Sequence, residues 1–250
     1  MKTLLAIPVY NEEAYVDKVL TEVRRYASDI LVIDDGSTDN TPSLLAQQPV
    51  DVIRHAYNGG YGRSIRDAFR WAQCYGYDWL ITMDCDEQHE PASLPDFHRA
   101  IEADDADVVS GSRYLGARVC GDPPPADRRA INQQITQLLN ERLGFNLTDA
   151  FCGFKAYRVA ALKPLELDED GYAMPLQFWV QAAAHGLRVK EVPIRLIYND
   201  PTRSFGGPLD DAERRLAHYK QVFEREFVKV ADRFAQPCAC SSAPRPDREP

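Results

Sequence analysis

Apolar residues fall into two kinds of pattern along the chain. Short runs of strand length lie at Thr3–Val9, Ile30–Asp34, Asp51–His55, Trp79–Met83 and Asp107–Ser110. Runs like these suit strands buried on both faces. Between them, at about Glu12–Tyr26, Thr41–Gln47, Tyr61–Tyr75 and Pro91–Ala103, apolar residues recur at helical spacing. Strand alternating with helix predicts an α/β fold with a mostly parallel sheet and helices on both faces. Ligands of open α/β sheets bind outside the carboxyl ends of the strands. Three of these strands end in polar or turn residues: Tyr10-Asn11-Glu12, Asp34-Asp35-Gly36-Ser37 and Asp84-Cys85-Asp86.

The second half is less regular. Arg113–Asp127, with two glycines and Pro123-Pro124-Pro125, reads as a loop. A helix is predicted at Arg128–Leu143, a strand at Cys152–Arg158, a helix at Pro175–His185 and a strand at Arg188–Ile197. The last helix has the clearest signature. Leu209, Ala212, Leu216, Tyr219, Phe223, Phe227, Val230 and Phe234 form one stripe at spacings of three and four. Residues 1–235 are read as one domain, with a donor-type half at about 1–112 and an acceptor-type half at about 113–235. The Pro/Ser-rich segment 236–250 is expected to be a disordered tail.

Composition narrows the class. At 250 residues and 44% apolar content the chain supports one large core. No apolar run approaches the roughly 20 residues of a spanning helix. The start leads directly into a strand, unlike a signal peptide. The 6 cysteines lack CxxC spacing and read as reduced thiols, which points to a cytoplasmic protein. A net charge of −9 argues against a nucleic-acid partner. Association at the cytoplasmic membrane face, through local basic patches, and homo-oligomer formation both stay open.

Asp84 and Asp86, at i and i+2 after the run Trp79–Met83, would share one face in extended chain. Two like charges held together need a cation between them. No arginine pair lies nearby in sequence, and a divalent metal is the simpler balance. The 5 histidines show no HxH or HExxH pairing, so a His-ligated zinc site has no support.

Six blocks then stand in one order: AIPVYNEEAYV (6–16), VIDDGSTDNT (32–41), NGGYG (58–62), MDCDEQHEP (83–91), SGSRY (110–114) and DAFCGFKAYR (149–158). Together they resemble family 2 glycosyltransferases of GT-A fold, a Rossmann-like α/β architecture. The nearest branch is that of dolichol-phosphate mannose synthases and polyprenyl-phosphate hexosyltransferases, and the likeness covers roughly residues 3–200.

The resemblance implies roles. Pro8, Tyr10 and Glu12 would line the nucleotide pocket, and Asp35 beside Asp34 would contact the nucleoside. Asn58 and Gly60 belong to a glycine turn where backbone can approach a phosphate. Asp84-Cys85-Asp86 matches the DxD motif, with Gln88 a further metal-side position. Asp84 and Asp86 would hold Mg²⁺ or Mn²⁺ against the nucleotide diphosphate, while Cys85 packs inward. His89 would support that block rather than catalyse. Arg113 and Lys155 would hold an acceptor phosphate, with Arg128, Arg129 and Arg203 as further basic candidates.

The implied reaction is metal-dependent inverting transfer of a hexose, mannose from GDP-mannose first, to a polyprenyl or dolichyl phosphate. A transferase of the same fold with a soluble hydroxyl acceptor is an alternative, as is a nucleotide-sugar-binding subunit without turnover. The branch usually has a glutamate near Gln177 and closes with a different loop from YNDPTRSFGGPLDD, which leaves the acceptor open. A hydroxyl acceptor needs a general base, for which Asp149 or Asp170 are candidates; a phosphate does not.

Overall fold

In the computed structural model, described for residues 1–116, 124–197 and 206–234, the strands form one seven-stranded sheet in the order β3-β2-β1-β4-β6-β5-β7. The strands are β1 (Thr3–Val9), β2 (Ile30–Asp34), β3 (Asp51–Arg54), β4 (Trp79–Thr82), β5 (Val108–Ser112), β6 (Lys155–Arg158) and β7 (Val189–Pro193). β1 pairs in parallel with both β2 and β4, and β5 with β7. β6 runs antiparallel between β4 and β5, placing Lys155 opposite Thr82 and Ser110.

The helices are α1 (Val16–Val23), α2 (Thr41–Leu45), α3 (Tyr61–Cys74), α4 (Leu94–Glu102), α5 (Ala126–Leu143), α6 (Val159–Leu162), α7 (Met174–Ala184) and α8 (Ala212–Phe234). Alternate side chains of each strand feed two separate cores, as the pleat requires. Leu4, Ala6, Leu31 and Ile33 point into a core with α3, α5, α7 and α8. Leu5, Ile7, Val32 and Ile81 point into the other, with α1 and α4. There Phe97 of α4 stacks on Phe154, ring centres 4.3 Å apart.

Several bounds differ from the sequence reading. Residues 12–15 lie before the helix, 13–15 as turn, and β4 stops at Thr82, so Asp84 and Asp86 sit at the start of and within an irregular bend outside regular strand. The strand foreseen at 152–158 begins only at Lys155, because Cys152 and Gly153 are held in a bend by side chains described below. α5 starts two residues earlier than foreseen, and α6 is an addition. The stripe of α8 packs as foreseen, with Tyr219 and Phe223 buried. The tail, residues 117–123 of the proline-rich loop, and Arg203 lie outside the described residues.

Candidate active site

A cleft of about 690 Å³ opens at the carboxyl ends of β1, β2 and β4. One wall carries Pro8, Tyr10, Glu12, Asp35, Asn58 and Gly60. Asp84, Asp86 and Gln88 form its floor, and Arg113, Asn132 and Arg215 come from the second half. The chain therefore gathers most of the foreseen residues in one place.

The two loops behind β1 and β2 are tied together by side chains. Asn11, in left-handed backbone (φ 55°), accepts the Thr38 N–H at 2.9 Å, and its own N–H donates to Ser37 Oγ at 2.9 Å. The Glu12 N–H donates to Thr41 Oγ1 at 2.9 Å. Tyr10 is left 44% exposed, a ring face open to a flat partner.

Asp34 does not face the cleft. It is fully buried, accepting the Ser37 N–H at 2.8 Å and lying 3.3 Å from Arg54 Nε. Asp35 lines the cleft, yet both of its oxygens have protein partners. They accept the Gly59 and Gly60 N–H groups, each at 2.8 Å, and His55 Nδ1 lies 2.6 Å away.

The glycine turn is shaped by protein contact instead of forming an open phosphate cradle. The Gly62 N–H donates to the Asp170 carbonyl at 2.7 Å, and Arg63 N–H to the same oxygen at 3.3 Å. A Cβ on Gly60 would meet Asp170 O at 2.4 Å, and one on Gly62 would meet Glu169 O at 2.2 Å. Glycine is required there so that the 169–171 backbone can cap α3.

The floor is an acidic bend. Asp84 keeps a third of its side chain exposed, at 34%, while Asp86 is buried and accepts the Gln88 N–H at 3.0 Å. Cys85 points into the core, as foreseen. His89 accepts the Asp84 N–H on Nδ1 at 3.1 Å and packs on Phe154. Burial pushes its imidazole down to about 4, so it is neutral at physiological pH and can accept that bond. His89 thus shapes the bend.

The oxygens of Asp84, Asp86 and Gln88 form a hard donor set that suits Mg²⁺ or Mn²⁺. Among the described residues no three His, Cys, Asp or Glu side chains make a complete cage. Two carboxylates and an amide at a cleft floor would fit a divalent ion that leaves positions open to an anionic ligand.

Opposite in sequence lies a buried ion pair. Arg113 donates to Asp149 through Nε at 2.7 Å and Nη2 at 2.9 Å. Asn132 Nδ2 adds a third bond to that carboxylate at 2.7 Å, and the Phe151 N–H a further one at 3.2 Å. Burial alone would raise the Asp149 pKa; the Arg113 charge and these donors override it and hold the carboxyl far below its usual range.

Lys155 departs from expectation. It is 3% exposed and off the cleft wall; its ammonium donates to the Cys152 carbonyl and lies 5.5 Å from the Trp179 ring centre. Its place in the central strand β6 is the cause. Arg128 reaches the cleft, and Arg129 stacks over Tyr114 at 3.5 Å.

Gln177 is a strut. Its Oε1 accepts the Asp168 and Glu169 N–H groups, each at 2.9 Å, and its Nε2 donates to Glu226 at 2.9 Å.

Sequence reasoning missed Asn132, Tyr172 and Arg215 in the cleft wall. A signal existed for Arg215. With Glu226 it sits at helical spacing from Tyr219 on the buried face of α8, and both charges are buried.

The family model for Glycosyl transferase family 2 matches residues 5–165. The chain belongs to this family. Among curated relatives, an undecaprenyl-phosphate mannosyltransferase of Micrococcus luteus is 34% identical, over 85% of this chain and 91% of its own. A polyprenol monophosphomannose synthase of Mycolicibacterium smegmatis is 30% identical, over 77% of this chain and 76% of its own. Glucosyl-3-phosphoglycerate synthase of Mycobacterium tuberculosis, crystallised with Mn²⁺, UDP and glucosyl-3-phosphoglycerate, superposes with a TM-score of 0.65. It covers 95% of this chain and 81% of its own at 15% identity, a likeness of fold. This family 2 glycosyltransferase thus carries its acidic bend and Arg113, backed by buried Asp149, at one GT-A cleft.

Proposed function

We propose that this glycosyltransferase moves a hexose from a nucleotide sugar to a polyprenyl phosphate, with GDP-mannose as the donor to try first. The observation that carries the acceptor assignment is the state of Asp149. Its carboxylate is fully buried and bonded to Arg113, Asn132 and the Phe151 N–H, with its pKa held down. A base so stabilised does not take a proton from a sugar hydroxyl near neutral pH. The other candidate, Asp170, is committed elsewhere: its carboxylate pairs with Arg66 and its carbonyl caps α3. A phosphate acceptor, already an anion, needs neither. The mannosyl- and polyprenyl-phosphate chemistry in the names of the two relatives points the same way.

In this reading Tyr10 stacks on the base and the Asp35-held turn at Gly59-Gly60 shapes the nucleotide wall. Asp84, Asp86 and Gln88 would hold Mg²⁺ or Mn²⁺, which would supply positive charge against the leaving diphosphate. Arg113 is fixed by Asp149 and stays 21% exposed toward the cleft, where its charge attracts the acceptor phosphate. Arg128 and Arg215 add positive charge to the same wall. No described helix is long and apolar enough to cross a membrane.

The test is transfer of labelled mannose from GDP-mannose, with Mn²⁺ and polyprenyl phosphate in detergent, read as label extracted into organic solvent. Label appearing only on a soluble hydroxyl compound would overturn the acceptor assignment.

A further inference from the structure

The DAFCGFK segment contains a glycine whose backbone gives no reason for it. Gly153 is absent from the glycines with left-handed backbone, and an alanine could adopt its conformation. The reason lies in what occupies the space beside it. A Cβ at position 153 would lie 2.5 Å from Asp84 Oδ2, 2.7 Å from Oδ1 and 2.9 Å from Cγ. The Asp84 carboxylate rests flat against this backbone.

That backbone is clamped from below. Thr82 Oγ1 donates to the Gly153 carbonyl at 2.7 Å, and the Lys155 ammonium donates to the Cys152 carbonyl. Thr82 and Lys155 face each other in the β4–β6 pairing, and both are buried. Two paired strand positions therefore hold two consecutive carbonyls and fix the surface on which Asp84 lies. The buried lysine, which has no place on the cleft wall, finds its use here.

We propose that Gly153 is a positioning residue for the acidic bend: lacking a side chain, it seats the Asp84 carboxylate in the orientation that turns its oxygens to the divalent ion. The proposal rests on the metal reading of Asp84, Asp86 and Gln88. An added methyl cannot push the clamped backbone away, so the carboxylate must move. The Asp84 side chain is short and 34% exposed, so it has solvent to move into.

The test is Mn²⁺ binding to the protein saturated with GDP and without acceptor, read by calorimetry, together with the Tm of the metal-free protein. G153A is expected to keep a Tm near that of the wild type and to bind Mn²⁺ roughly 10- to 100-fold more weakly, as when a residue supporting a ligand is changed. In a D84A background the same change is expected to add no further loss, since the carboxylate it displaces is gone. Wild-type affinity in G153A would overturn the proposal while leaving the metal reading intact. So would a lowered Tm with unchanged affinity, because that marks a purely structural glycine. A wild-type chain that takes up no Mn²⁺ at millimolar concentration with GDP bound would overturn the metal reading and the proposal with it.

Discussion

Replacing Arg113 by methionine removes the cation from a carboxylate that has no access to water. Asp149 is fully buried, and the Arg113 side chain is 21% exposed. The variant deletes the bonds from Nε and Nη2, leaving Asn132 and backbone N–H groups as the remaining donors. Breaking a buried pair by removing one partner costs about 3–5 kcal/mol, because an uncompensated charge stays inside. A domain of this kind holds roughly 5–15 kcal/mol, so the variant should still fold.

The pH dependence follows from the sign of the shift. In the native protein the Asp149 pKa is depressed, so its contribution is present above the unfolded value of roughly 3.9 and is lost as pH falls through the folded one. Without Arg113, burial dominates and the folded pKa rises. The variant's deficit is then largest at neutral pH and shrinks as acid protonates the carboxyl. Urea unfolding followed by circular dichroism at pH 7 and pH 5 measures both. A loss under about 1 kcal/mol at pH 7 would refute the reasoning, since no buried pair of this kind is so cheap to break. So would a loss that grows at pH 5.

Asp86→Asn keeps the shape that accepts the Gln88 N–H and removes one charge from the bend; turnover should nearly vanish with little change in Tm, and wild-type-like turnover would remove Asp86 from the ion site. Gly62→Ala drives a methyl to within 2.2 Å of the Glu169 carbonyl and 2.8 Å of Met174 Cβ, both packed; thermal denaturation should show destabilisation of about 1–3 kcal/mol, typical of an overfilled core. Gln177→Glu sets a carboxylate against buried Glu226, replacing a 2.9 Å hydrogen bond by repulsion; melting at pH 8 and pH 5 should show a loss at the higher pH that recovers at the lower, as the introduced group takes a proton.

The sheet and its helices were legible because β1, β2 and β4 are continuous apolar runs, and a strand buried on both faces has no other composition. The antiparallel β6 was harder. Its four residues include a lysine, and its partners β4 and β5 come from far upstream, so pattern alone says nothing of its direction. In the site, the acidic bend and Arg113 were legible as charges stranded at strand ends. What could not be read were the partners. The glycine turn at 58–62 looks like a phosphate loop until the 169–171 backbone is found against it. Lys155 looks like a phosphate ligand until β6 is placed in mid-sheet. Both depend on long-range contacts that local spacing does not encode.

The most direct test of the acceptor chemistry offers the wild-type protein polyprenyl phosphate and the corresponding polyprenol alcohol side by side, with labelled nucleotide hexose and Mn²⁺. With Asp149 locked to Arg113 and Asp170 committed to Arg66 and α3, label should enter the phosphate as an acid-labile phosphodiester and leave the alcohol untouched. Equal or preferential labelling of the alcohol would mean that a general base operates in the cleft, and would contradict a phosphate acceptor.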